Sequence, residues 1–442
     1  MNVEPKTIRT KAEEALLAQY RANATRLPGG TAAQHRREAA IALFEKSGLP
    51  HRRVEEWKYT DLRALMKEAA PLADGADDAT LTELGAEDPL LGLDRARLVV
   101  VNGTWRPDLS DLGGLDGVTV TALADVLAEA PERIGKLFAD SDDTALALNS
   151  AFVHGGVVVD VAKNARPARP LEIVHLTAAA EPVAVFLRDI VTVADNADLT
   201  VIDSHRGPDG LAYQVNAVTE LTLAPGATVE WARLQAEGSA AQHIGTIEAS
   251  LGTDTTLRHL TVNAGAALWR WQGFATISGR GVTLDFNGAT MLSGKEHGDQ
   301  MLVVRHSEGW STSRELFKNV VDDTAEGVFQ GRIVVDQDAQ KTDGKMMAQA
   351  LLLSDVAQFA SKPELEIFAD DVQCGHGSTS GRIDDTQLFY LMARGVPRAE
   401  AERLLIEAFL DDAIDMLKDE ATASALKGVV SAWLRQRGGA GA

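Results

Sequence analysis

Between residues 199 and 284 the chain repeats itself. Leu199 in DLTVI, Val229 in TVEWA, Leu257 in TLRHL and Leu284 in TLDFN hold equivalent places, separated by 30, 28 and 27 residues. Each unit alternates apolar and polar residues, the pattern of a half-buried strand. Gly, Asn, Asp or Pro breaks each run, as tight turns require. A sandwich also has short strands, but it does not impose a near-constant period. Strand-rich units recurring at one period predict stacked coils. The expected fold is therefore mainly β: a right-handed β-helix over 151–383, with a mainly helical region at 1–150 and a helical domain at 384–442.

The flanks read differently. Lys11 to Asn23 and Ala32 to Lys46 carry apolar residues at helical spacing, with Leu27-Pro28-Gly29-Gly30 breaking the chain between them. RRVEEWKYTDLRAL, from Arg52 to Leu65, reads as a surface helix or turn with Trp57 and Tyr59 packed down, and Arg97–Asn102 as a strand. Near the other end, Asp384 and Gln387 suit a helix N-terminus, Gly395 a helix stop and Pro397 the first turn of the next helix. Leu404, Leu405, Ala408 and Phe409 then form an apolar stripe, with Glu407, Asp411 and Asp412 beside it, and a last amphipathic stretch spans Ser424 to Arg435.

Charge and cysteine usage narrow the functions open to such a chain. The formal net charge of −21 repels phosphate backbones and anionic lipid, so neither nucleic acid nor a membrane surface is an expected partner. No apolar run approaches the about 20 residues that cross a bilayer. The charged first residues lack the apolar centre of a signal peptide, and a single cysteine forms no internal disulfide; a cytoplasmic location is the expectation. There is no G-x-x-x-x-G-K-[ST] loop for nucleotide phosphates, no C-x-x-C pair and no G-x-S-x-G elbow.

The lone cysteine, Cys374, stands two residues before His376 in QCGHGSTSG, which reads as a Gly/Ser-rich turn between the last strand and the helix pair. Thiol and imidazole both ligate iron or zinc. Taken alone, the pair reads first as a small buried hydrophobe and a turn residue, with metal binding the lesser alternative, because a closed zinc site needs three or four ligands. A second constellation, HGDQMLVVRH, holds His297, Asp299 and His306. On a strand, 297 and 299 share a face and 306 lies on the other, so a polar rung of the β-core is preferred to a three-ligand site. A third, GVFQGRIVVDQDAQKTDGKMMAQALLLSD from Gly327 to Asp355, reads as two strands joined by a polar turn.

These segments together resemble the SufB/SufD family of the SUF iron–sulfur cluster assembly system. The likeness runs from about Glu55, where E-E-W-K-Y-T matches a family stretch, to the C-terminus. It is densest from His297 to Ile414, including Gly331, Asp338, Ala339, Gln340 and Thr342. Two departures favour the SufD branch. AQALLLSD, from Ala348 to Asp355, lacks the cysteine that SufB carries there, and Gly377 stands where SufB has a glutamate.

The resemblance implies a non-catalytic scaffold, with ATP hydrolysis left to a SufC-like ABC ATPase. A SufB-like subunit would pair through the β-core, and the nascent cluster would form at that interface. His376 is implied as an interface residue and candidate iron ligand shared with the partner chain; Cys374 is its less certain neighbour. The ATPase would dock on the C-terminal helices, with Phe409, Leu405 and Glu407 as candidate contacts. Clusters need about four ligands, mostly thiolates, so a chain with one cysteine could hold only a transient cluster shared with SufB. Flavin in the complex, a homodimer in isolation and a part in iron entry stay open. The alternatives are a SufB-like persulfide acceptor and, from another class, a β-solenoid enzyme acting on polysaccharide.

Overall fold

In the computed structural model, which describes residues 9–138 and 141–439, the chain winds as a β-solenoid. Successive strands alternate between two sheets, so each strand pairs in parallel with the one a full coil away. One sheet has ten strands and the other nine. The repeat seen in the sequence is the coil itself: Leu199 pairs with Val229, Val229 with Leu257 and Leu257 with Leu284. All four are buried in one interior cluster with Trp231, Trp269, Trp271, Phe286 and Phe317. The column continues through Ser313 and Gly344 to Cys374.

The breakers mark the corners. Asn196 and Asp254 adopt left-handed backbone conformations, with φ of 55° and 57°. Gly226 and Gly281 sit against them in the next coils; a Cβ there would lie 2.4 Å from Asn196 Oδ1 and 2.2 Å from Asp254 Oδ1. Only glycine meets both the positive φ and the close stacking.

Helices cover the outer faces. Lys11–Asn23 begins at a capping box between Thr10 and Glu13, and Thr31–Ser47 follows the Leu27–Gly30 break. Leu16, Leu17, Phe44 and Trp57 pack on the outward faces of Phe186, Ile244 and Leu268. The sequence reading passed over the short strands Thr104–Trp105 and Val118–Ala122, which extend the two sheets at their first end by antiparallel pairing beside Ala96–Val101 and Val157–Val161.

The C-terminal helices Arg398–Ile414 and Glu420–Gly439 lie across the middle strands of the ten-stranded sheet. Ile406, Leu410, Ile414, Leu426 and Val430 close over Ile202, Leu234, Leu260, Met291 and Val320. Central strands are thereby buried on both faces, so polar side chains such as Asp203, His205 and Arg233 are buried along with the apolar ones. Among the described residues no helix is long and apolar enough to cross a membrane.

Candidate interface site

Cys374 and His376 do not lie in a turn. They sit on the strand Gln373–Gly381, the last of the ten-stranded sheet. Gly- and Ser-rich sequence has little strand preference of its own; the segment is extended because Asp343–Leu352 offers it a full ladder of partners. Its other edge is unpaired, as is that of Gln358–Ile367, the last strand of the nine-stranded sheet. Both strands are largely half-buried or exposed, so among the described residues the solenoid ends open, without a capping helix across these two edges.

Pairing places Cys374 beside Gly344 and His376 beside Met346. Both belong to the inward columns, and His376 is exposed only because no further coil covers it. Cys374 packs against the interior cluster and is half-buried. Burial pushes its thiol above the ordinary range, and Asp343 and Glu315 push the same way; the Gly344 backbone opposes them. With no cation in that balance, the thiol is not an activated nucleophile. One coil below Met346, the same column holds Glu315, fully buried, whose carboxyl is pushed by burial up to about 8.

His297, Asp299 and His306 separate as the strand period requires. His297 and Asp299 face the N-terminal segment: Thr60 Oγ1 lies 2.8 Å from His297 Nε2 and donates to Asp299, which also pairs with Arg270. His306 points inward, and its Nε2 lies 3.0 Å from Ser313 Oγ. The Arg270 guanidinium lies over the Trp57 ring, 3.9 Å from its centroid, and donates to the Glu56 carbonyl. The E-E-W-K-Y-T stretch is thus a clasp that holds the helical region on the solenoid. Its Glu55 reaches Lys362, on the open-ended strand Gln358–Ile367.

The tail contacts fall unevenly. Phe409 is half-buried beneath Lys318, whose Nζ lies 4.5 Å from its ring centroid and 2.9 Å from Asp412. Glu407 is engaged within the tail, accepting from Arg403 at 2.6 Å and from Ser431 at 2.8 Å. Leu405 is half-buried. Within the described part of the tail, the large exposed apolar side chains lie mostly on Asp385–Ala393, where Phe389 is 73%, Tyr390 57% and Met392 41% exposed; Leu404 nearby is 37% exposed. The sequence reading missed these residues, although LFYLM is a five-residue apolar run, wider than one helix face can bury.

Comparison with known protein families places these features. Residues 175–409 match the family described as the SUF system FeS cluster assembly SufBD core domain, and residues 10–173 match the SufBD protein N-terminal region. The chain is 32% identical over 411 residues to the iron-sulfur cluster assembly protein SufD of Escherichia coli, covering 92% of this chain and 94% of that protein. It is 30% identical over 397 residues to a SufBD family protein of Synechocystis, covering 87% of each. With SufD of Bacillus subtilis the identity is 24%, over 86% of this chain and 88% of the relative. From the N-terminal clasp to the last open strand, the chain belongs to the SufBD family of iron–sulfur cluster assembly proteins.

Proposed function

We propose that this chain is a SufD-like, non-catalytic scaffold that builds iron–sulfur clusters with a SufB-like subunit and a SufC-like ATPase. The observation that carries this reading is the position of Cys374 and His376 on a terminal strand with an unpaired edge. An open edge is a template for another chain's strand. A SufB-like β-core added there would place its own ligands beside His376. One imidazole and one unactivated thiol make an incomplete ligand set for a cluster, and the partner would complete it. The cluster is cargo built at that junction.

The ATPase would dock on the tail, with the exposed face of Asp385–Ala393 joining the Phe409, Leu405 and Glu407 region. The test is co-expression with the two partners, followed by anaerobic reconstitution. The complex should assemble clusters and the isolated chain should hold none stoichiometrically. His376→Ala should form the same complex, keep its melting temperature and lose cluster assembly. A stable cluster on the isolated chain, or normal assembly with His376→Ala, would refute the shared site.

A further inference from the structure

Deep inside the first coils, far along the solenoid from Cys374, lies a polar cluster that the scaffold role does not use. Asp203 and His205 are two residues apart on Asp198–Arg206 and therefore face the same way, into the interior. His175 is the register partner of His205 on the neighbouring strand, and the two rings stack with centroids 4.5 Å apart. All three side chains are at least nine-tenths buried. One ligand atom from each can be chosen so that all lie within 4.8 Å of one another.

Two observations leave room for a further positive group in the cluster. The first is charge. Asp189 lies 2.9 Å from His175, Asp203 lies 2.9 Å from His205, and Glu237 lies 2.7 Å from His243. The one guanidinium among them is Arg233, 2.7 Å from Asp203 Oδ2 and 2.7 Å from His243 Nε2. Three carboxylates against one guanidinium leave two negative charges uncompensated when the imidazoles are neutral. Buried charge in that state is costly. The second observation is direction. His175 Nδ1 and Nε2, Asp203 Oδ1 and His205 Nε2 are fully buried, and none has a partner in hydrogen-bonding geometry.

We propose that His175, Asp203 and His205 bind one resident divalent transition-metal ion, zinc(II) or iron(II), inside the solenoid. Two imidazoles and a carboxylate suit either ion. Ligand atoms about 2 Å from a shared ion stand roughly 3.3 Å apart in a tetrahedron. Asp203 Oδ1 lies 2.9 Å from His205 Nε2 and 3.6 Å from His175 Nε2, which brackets that spacing. Arg233 holds the other Asp203 oxygen and so fixes the carboxylate, as outer partners do at metal sites. A divalent ion supplies the two missing positive charges. The site is sealed by coils and helices, so the ion enters as the chain folds and staples the first coils together. It is neither the cluster's iron nor exchangeable cargo.

The test is metal analysis of the full-length, untagged chain purified without metal-affinity steps and dialysed against EDTA. About one zinc or iron per chain is expected, and which of the two is found separates the sources. X-ray absorption at that metal's edge should show nitrogen and oxygen ligands and no sulfur. Asp203→Asn and His205→Gln should each lower the content about tenfold or more. The double variant C374S/H376A should keep it. A native chain without metal, both as purified and after refolding with zinc(II), iron(II) or cobalt(II), would mean that protonated imidazoles balance the cluster, and would overturn the proposal. So would a sulfur ligand, or full occupancy in both interior variants. The absorption measurement needs only the native chain, so a variant that fails to fold still leaves the proposal open to refutation.

Discussion

The Arg270 guanidinium lies 3.9 Å from the centroid of the Trp57 ring, joining an N-terminal segment to a coil more than two hundred residues later. Both side chains are fully buried, and the guanidinium also pairs with Asp299. The clasp therefore couples the helical region to the solenoid through one desolvated cation, a ring and a carboxylate. Trp57→Ala removes the ring and leaves a cavity, which should cost about 3–5 kcal/mol. Trp57→Phe retains most of the packing and should cost less. Urea denaturation of the full chain checks the order; equal stability of Trp57→Ala and the native protein would show that the clasp is not structural.

Glu315 makes stability depend on pH in a defined direction. Its carboxyl titrates at about 8 when folded, against 4.5 as the ordinary value. A group whose folded value is raised contributes stability that is complete below its unfolded value and lost as pH rises through the folded one. The native chain should therefore lose up to a few kcal/mol between about pH 4.5 and 8 from this residue. Glu315→Gln cannot ionise, so its denaturation midpoint should fall less across that window. Parallel pH profiles for the two proteins would contradict the assignment.

Cys374 should react slowly. Its thiol is half-buried and held above its ordinary range, and the thiolate is the nucleophile. Iodoacetamide labelling near neutral pH should be slower than that of a free cysteine, and its rise with pH should come later. Rapid labelling at pH 7 would mean that the open end of the solenoid activates the thiol after all.

How much of this was legible follows from what each signal depends on. The coil period was, because stacked coils force equivalent residues into register: the positions of Leu199, Val229, Leu257 and Leu284 became cross-strand neighbours. The strand character of QCGHGSTSG was not, because its hydrogen-bond partners lie thirty residues earlier and outweigh local preference. The inward cluster was hidden for another reason. Asp203 and His205 carry the two-residue spacing of one strand face, but polar residues on a strand ordinarily mark the solvent side. Here the sheet's outer face is covered by helices and the polar side chains turn in.

If an ATPase docks on the tail, two faces compete for it. Phe409 is half spent on its own protein, under Lys318, and Asp412 pairs with the same ammonium. Phe409→Asp should therefore lower stability by about 1–2 kcal/mol through lost packing and lost cation–π contact. Phe389 is 73% exposed, so Phe389→Asp should change stability by no more than about 0.5 kcal/mol. If the face bearing Phe389, Tyr390 and Met392 docks the ATPase, the second variant should lose co-purification while melting normally. The first should keep docking wherever it stays folded. The reverse pattern would move the interface to Arg398–Ile414: Phe409→Asp would release the ATPase at unchanged stability, and Phe389→Asp would retain it. A large exposed apolar face costs a soluble chain solubility unless a partner covers it, which is why the outcome should favour Phe389.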